Sequence, residues 1–180
     1  MKKAFWTTLF AMAITLSAVA GDDPMVGGAA MYPTKNIVQN AMNSQDHTTL
    51  VAAVKAAGLM ETLEGPGPFT VFAPTNEAFA KLPAGTVDNL LKPENKEMLV
   101  KVLTYHVVAG KVSASDLMKQ IKAGGGKATL TTVNGETLTA TMNGKHIVLM
   151  DAKGDSSTVT IANVYQSNGV IHVVDTVLLP

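Results

Sequence analysis

The chain has 180 residues and a formal net charge of zero, and all 14 of its positively charged side chains are lysines. Without arginine it lacks the side chain best suited to bidentate contacts with phosphate and guanine, so we expect no nucleic-acid partner. Without cysteine, disulfide bonds, thiol catalysis and thiolate metal sites are excluded.

The first 20 residues have the pattern of a cleavable secretory signal peptide. A lysine pair precedes an apolar run over residues 4–16, and residues 17–20 end in a small-x-small pattern. The run is shorter than the roughly 20 residues that a membrane helix needs, which makes a permanent anchor the weaker alternative. We therefore expect cleavage after Ala20, export to the periplasm or the cell exterior, and no stable membrane insertion after cleavage.

Cleavage after residue 20 leaves 160 residues with 12 lysines and 14 acidic residues, a formal charge of −2. This length is typical of one domain that can bury a core without disulfides. Residues 21–34 contain aspartates, glycines and prolines without an apolar period, which predicts a flexible leader. We expect order to begin near Lys35 and the domain to span residues 35–180.

The first part of this domain has mainly helical patterns. Apolar spacings of three and four residues, with capping and stop signals, predict helices near 37–42, 47–57, 76–82, 86–91, 94–103 and 115–121. Ser44 or Asp46 is expected to cap the second of these, and Thr75 or Asn76 the third. A β-branched and aromatic run predicts one strand at residues 69–73, and residues 105–108 are strand-like.

The chain after residue 127 is rich in strand patterns. Asn-Gly pairs at 134–135, 143–144 and 168–169 are strong hairpin signals, because a type I′ turn needs two residues with positive φ. The predicted strands, mostly antiparallel, are 130–133, 136–142, 145–150, 158–164 and 170–179. A helical first part followed by a meandering sheet predicts a single domain of the α+β class.

Three ordered blocks carry a resemblance to a known family. Residues 69–79 read Phe-Thr-Val-Phe-Ala-Pro-Thr-Asn-Glu-Ala-Phe, residues 169–180 read Gly-Val-Ile-His-Val-Val-Asp-Thr-Val-Leu-Leu-Pro, and Tyr105-His106 lies between them. These blocks resemble the signatures of the fasciclin (FAS1) domain family, and the likeness covers about residues 35–180.

The resemblance implies a wedge of β-sheet flanked by several helices, in proteins that are secreted or attached to surfaces. It implies a role in cell adhesion or matrix interaction, and no catalytic residue. Many family members have aspartate where this chain has Asn76. An amide at this position can still cap a helix, but it offers no carboxylate to a histidine such as His106.

Tyr105 and His106 are the candidate adhesion residues, since the resemblance links the surroundings of this motif to receptor binding. A histidine could also serve as a base. We favour a third interpretation, in which both are half-buried at a helix-to-strand junction and hydrogen-bonded for packing.

His172 and Asp175 stand three apart in a predicted strand, so they face opposite sides and cannot form a catalytic pair. Asp175 is expected to accept hydrogen bonds from backbone or hydroxyl groups.

No common catalytic, metal-binding or phosphate-binding motif occurs in the sequence, so we expect no enzyme activity, cofactor or metal. The leading hypothesis is an adhesion or interaction module that contacts a cell-surface or matrix protein, a glycan or the cell envelope. The rival is a carrier of a small apolar ligand held between helices and sheet. A deep apolar pocket favours the carrier, and an exposed apolar face favours adhesion.

Overall fold

The structure is a computed structural model that describes residues 23–180, so the predicted signal peptide lies outside the described residues. The helices are α1 (Ile37–Ala41), α2 (Thr48–Ala57), α3 (Met60–Glu64), α4 (Asn76–Ala80), α5 (Thr86–Leu90), α6 (Lys96–Tyr105) and α7 (Ala114–Ala123), with 3-10 turns at Gln45–His47 and Pro93–Asn95. The strands are β1 (Met25–Val26), β2 (Ala29–Ala30), β3 (Phe69–Pro74), β4 (Val107–Ala109), β5 (Lys127–Thr131), β6 (Thr137–Asn143), β7 (His146–Met150), β8 (Ser156–Gln166) and β9 (Gly169–Val174).

Seven strands form one sheet in the order β4-β3-β9-β8-β7-β6-β5. All pairs are antiparallel except β3 with β9, which run parallel and place Phe72 opposite His172. A single bridge between Val108 and Thr132 joins the two ends of the sheet. The sheet therefore nearly closes into a barrel, and the predicted α+β class is confirmed.

Two boundaries differ from the sequence prediction, because packing against distant segments outweighs local preference. Helix α6 continues through Tyr105, which was predicted to be strand-like, because the ring packs into the core of the sheet from the last helical turn. Strand β5 covers Lys127–Thr131 and so begins before the predicted 130–133.

The last strand also ends earlier than the predicted residue 179, at Val174. The N–H of Asp175 still donates to the carbonyl of Thr158 in β8 at 3.2 Å, but from Thr176 onward backbone N–H groups donate to side chains. Thr176 donates to the Ser157 hydroxyl at 3.1 Å, and Leu178 and Leu179 donate to other side chains. With its donors taken in this way, the segment cannot extend the ladder.

The expectation that order begins near Lys35 is wrong. Strands β1 and β2 form a small hairpin, and the adjoining Val26 and Met31 are buried in the core. The hairpin lies directly on the chain around the first 3-10 turn, since a Cβ added at Gly27 would collide with the Ser44 hydroxyl. Two buried apolar side chains in a segment interrupted by glycines and prolines make too short a pattern for periodicity to detect.

The apolar side chains form two cores on opposite sides of the sheet. The first, which we call the helical core, lies between α1–α6 and one face of the strands and includes Val71 and Ala73. The second, the barrel core, lies inside the curved sheet under α7 and includes Phe72, Leu117 and Ile121. Successive residues of β3 enter alternate cores, as strand geometry requires.

Candidate functional site

Tyr105 is enclosed completely, with no exposed surface, at the end of α6. Its hydroxyl donates to the carbonyl oxygen of Thr137 at 2.9 Å and accepts from the N–H of Ala152 at 3.2 Å. Burial is the main influence that raises the pKa of Tyr105, and the hydrogen bond from Ala152 partly offsets it. The phenol therefore ties α6 to β6 and to the loop after β7.

His106 follows directly and is only 2 % exposed. Its Nδ1–H donates to the carbonyl of Val102 at 2.8 Å, and its Nε2 accepts from the N–H of Leu178 at 3.0 Å. These partners determine the tautomer, because a carbonyl can only accept and a backbone N–H can only donate. Burial lowers the pKa of His106 to about 4, against smaller opposing effects of Val102 and Asp151. The ring is neutral, and both nitrogens are engaged.

The prediction that this pair is half-buried is wrong, because both side chains are fully inside the fold. The prediction that they are hydrogen-bonded at the junction of a helix and a strand agrees with the contacts. With both ring nitrogens of His106 bonded to backbone and the ring shielded from solvent, the geometry offers no proton acceptor to a substrate.

Asp151 completes this arrangement and was missed in the sequence. One carboxylate oxygen accepts from the N–H groups of Lys153 and Asp155, each at 2.9 Å, and the other accepts from Leu179 at 3.0 Å. Together with His106 it clamps the C-terminal segment, residues 175–179. An aspartate that opens a polar turn is a recognisable signal, but its partner Leu179 lies 28 residues away.

His172 and Asp175 are not brought together. The His172 Nε2–H donates to the carbonyl of Val112 at 2.9 Å, Nδ1 accepts from Asn163 at 3.3 Å, and the ring stacks on Phe72. Burial lowers the pKa of His172, and the bond to Val112 opposes this shift. Asp175 accepts from the N–H of Thr158 at 2.8 Å, the type of contact predicted for it.

Asn76 acts at a distance from His106, as a cap for helix α2. Its side-chain oxygen accepts from the N–H of Thr49 at 3.0 Å and the hydroxyl of Thr48 at 3.2 Å, and its amide donates to Gln45 at 2.8 Å. The predicted capping by Ser44 or Asp46 is therefore wrong.

Two neighbouring residues complete the picture of this region. The Ser44 hydroxyl instead pairs with Nδ1 of His47 at 2.8 Å. Thr75 caps α4 as predicted, by accepting from the N–H of Ala78 at 3.2 Å.

An apolar cavity of about 70 Å³ lies in the helical core, between α1–α3, α6 and strands β3, β4, β8 and β9. Its wall is built from aliphatic, methionine and phenylalanine side chains, and its few polar members include His47 and His106. Burial lowers the pKa of His47, and the Ala73 carbonyl and Asp46 oppose that shift.

The surface carries several exposed methionines and tyrosines. Met25, Tyr32 and Met42 are 59 %, 43 % and 60 % exposed, and all three belong to the N-terminal segment over residues 25–42. Among residues 23–180, no group of three or more histidine, aspartate or glutamate side chains is placed to hold a metal ion. Within the same range, every helix is too short or too polar to cross a bilayer.

Comparison with known proteins gives consistent matches. The family model described as Fasciclin domain matches residues 45–180. The protein sll1483 of Synechocystis sp. is 49 % identical over 156 residues, covering 87 % of this chain and 79 % of that protein. The cell surface glycolipoprotein MPB83 of Mycobacterium bovis is 32 % identical over 165 residues, covering 91 % of this chain and 64 % of the relative.

A solved structure shares the fold. The structure of a FAS1 domain pair from the insect cell adhesion molecule Fasciclin I superposes with a TM-score of 0.72 at 18 % identity. The match covers 82 % of this chain and 52 % of that one, so this chain spans about half the length of the insect domain pair.

Proposed function

Because this chain belongs to the fasciclin domain family, we propose that it is a non-enzymatic adhesion module. It contacts a cell-surface or matrix protein, a glycan or the cell envelope, after export to the periplasm or the cell exterior. The names of two similar proteins support this role, since one is a cell surface glycolipoprotein and the other an insect cell adhesion molecule. The predicted signal peptide supports the location.

The observation that carries the proposal is a group of exposed apolar side chains on the N-terminal segment. We call Met25, Tyr32 and Met42 the N-terminal face. Large apolar side chains that remain exposed together are typical of interaction surfaces rather than of inert ones. A charged neighbour is also present, because the Lys35 ammonium lies 5.0 Å from the centre of the Tyr32 ring.

Two hydrogen bonds tie together the parts of the chain that carry these side chains. The Tyr32 N–H donates to the side-chain oxygen of Asn40 at 3.1 Å, and the Gln45 N–H donates to the carbonyl of Gly27 at 3.1 Å. The first bond joins Tyr32 to the helix that ends just before Met42, and the second joins the hairpin that carries Met25 to the 3-10 turn after that helix. We therefore propose that the three exposed side chains belong to one face.

Tyr105 and His106 lie inside the fold and do not themselves contact a partner. Both are buried, so a partner reaches them only through the elements that they hold in place. We propose that they are positioning residues, which hold the end of α6 against the barrel core and the C-terminal segment. His106→Ala is expected to lower the melting temperature and adhesion together. Loss of adhesion at an unchanged melting temperature would contradict this role.

The N-terminal face can be tested with purified mature protein on beads and envelope vesicles from the source cells. The triple variant Met25→Ser, Tyr32→Ser, Met42→Ser is expected to reduce vesicle capture at least tenfold, because it removes the exposed apolar area. Met98→Ser is the matched control, since Met98 is 60 % exposed but lies on α6. Circular dichroism melts confirm that each variant is folded.

Few aromatic side chains are exposed, so single contacts are expected to be weak and to depend on multivalent display. Capture of vesicles should therefore fall steeply when fewer protein molecules are attached to each bead. Equal capture by the triple variant and the wild type would rule out the N-terminal face. Loss of capture in the Met98→Ser control would place the contact surface elsewhere.

A further inference from the structure

The cavity in the helical core is bounded by side chains from both halves of the chain. Met31 of the N-terminal segment, Val54 of α2 and Met60 of α3 form one side, and Val71 of β3 and Ile171 of β9 form the other. Each of these is aliphatic or a thioether, so the wall offers dispersion contacts and almost no hydrogen-bonding groups.

The polar groups in the wall are already satisfied by the protein. His106 uses both ring nitrogens for backbone groups, as described above. Nδ1 of His47 pairs with the Ser44 hydroxyl, and its Nε2 lies 3.4 Å from the carbonyl of Ala73. Burial lowers the pKa of both rings, and among residues 23–180 no lysine, aspartate or glutamate lines the cavity. An ionised group would therefore find no partner inside the cavity.

The cavity is not sealed, because several members of its wall also reach solvent. Val51, Met60 and Thr104 are partly exposed, and Thr62 and Val133 are exposed. These residues belong to α2, α3, the end of α6 and the turn after β5. A small molecule can therefore enter between the helices and the edge of the sheet without unfolding of the barrel core.

From these observations we propose that the cavity is a binding site for a compact, uncharged apolar molecule, with about the bulk of one substituted benzene ring or a short hydrocarbon chain. The volume of about 70 Å³ is about half that of an engineered apolar cavity of roughly 150 Å³ that holds benzene, so a ring of that size also occupies the open side of this cavity. The cavity could hold several water molecules, but a wall without free polar groups does not retain water. Cavities of this kind stay dry and accept apolar guests such as benzene or xenon. The site is distinct from the N-terminal face, and its occupation does not depend on adhesion.

Toluene is the probe, and methyl NMR of methionine-labelled mature protein is the readout. Met31 and Met60 line the cavity, whereas Met98 and Met118 lie outside it. We expect saturable shifts at the two lining methyl groups below the solubility limit of toluene, and no shifts at the other two. This measurement uses the unaltered protein, so it does not depend on the folding of any variant.

A filling variant adds a second, independent measurement. Ala41 is the last residue of α1 and lines the cavity, so Ala41→Leu is expected to occupy the space and weaken toluene binding at least tenfold. Ala80 is the last residue of α4 and is exposed, so Ala80→Leu is the matched control and should bind toluene as the wild type does.

The proposal is overturned if toluene produces no saturable shift, or if the shifts appear equally at Met98. It is also overturned if folded Ala41→Leu protein binds toluene with unchanged affinity. If Ala41→Leu fails to fold, the shifts at Met31 and Met60 in the wild type decide alone. Because adhesion through the N-terminal face is measured with vesicles, failure of one proposal leaves the other intact.

Discussion

The barrel core and the helical core are built from the same kinds of side chain but differ in how completely they are filled. Within the barrel core, residues such as Leu138, Ala140 and Leu149 have no exposed surface, and the strands that carry them are hydrogen-bonded to neighbours along their length. The helical core is covered mainly by short helices and retains the apolar cavity. In this protein the apolar cavity therefore lies in the core that short helices cover.

The short helices depend on side chains from elsewhere for their ends. At the start of helix α1, the N–H of Ile37 donates to the side-chain oxygen of Asn168 at 3.0 Å, and the amide of Asn168 donates to the carbonyl of Leu63 near the end of α3. Asn40 in α1 bonds in turn to the side chain of Gln166. Helices of five residues have few internal hydrogen bonds, so their position depends on such anchors.

The largest expected difference between the cores is in the free energy of unfolding that is lost when a leucine is replaced by alanine in each core. Leu149→Ala in the barrel core should lower the free energy of unfolding by about 4 kcal/mol, and Leu103→Ala beside the cavity by about 2 kcal/mol. Leu103 already lacks neighbours on its cavity side, so its truncation loses fewer contacts. Urea denaturation with constant m-values measures both. Equal losses would show that the helical core is as well filled as the barrel core.

Acid should destabilise the protein where the two cores meet. His106 lies at this place, because it lines the cavity of the helical core and accepts a hydrogen bond from Leu178 of the barrel core. Its pKa is about 4 in the folded protein against an ordinary value of 6.5. Between these values the unfolded chain binds a proton that the folded chain does not, so stability falls as pH decreases. The loss approaches about 3 kcal/mol at pH 4 and below.

The variant His106→Asn tests this assignment through the slope of stability against pH. Its stability at neutral pH is lower, because ring contacts are lost, but its slope between pH 6.5 and 4 should fall by about one proton. His47 and His172 also have lowered pKa values and contribute to the remaining slope. An unchanged slope in His106→Asn would assign the acid sensitivity to other groups.

The smallest expected loss of stability comes from removing the cap of α2, a helix that packs only into the helical core. Asn76→Ala removes the acceptor for Thr49 and Thr48 and should cost about 1 kcal/mol of stability. The hydrogen bonds of the Asn76 side chain all go to α2 or the turn before it, so hydrogen exchange should accelerate in α2 but not in β6 or β7. Asn89→Ala on α5 is a suitable control, because the hydrogen bonds recorded at Asn89 involve its backbone. Uniform acceleration throughout the protein would show that the two cores unfold as one unit.

Local patterns were sufficient for the parts of the fold that depend on neighbours in sequence. The helical periods around Leu50 and Val54 and the Asn-Gly pairs predicted elements close to those observed, and the motif blocks identified the family. The predicted type I′ geometry of these hairpins is wrong, because none of the three asparagines has a positive φ. The cap at Thr75 was also predictable, since its partner Ala78 is three residues away. The parallel pairing of β3 with β9 and the cap from Asn76 were not, because their partners are distant in the chain.

The candidate site shows the same division most clearly. The sequence alone determined that Tyr105 and His106 were the residues to follow, that the class is α+β, and that the chain carries a signal-peptide pattern. Only the tertiary structure decided that both residues are buried and that His106 binds Leu178, 72 residues further along. It also decided where the cavity lies. Burial and hydrogen-bond partners result from the packing of distant segments, and a local pattern contains no record of which segments will meet.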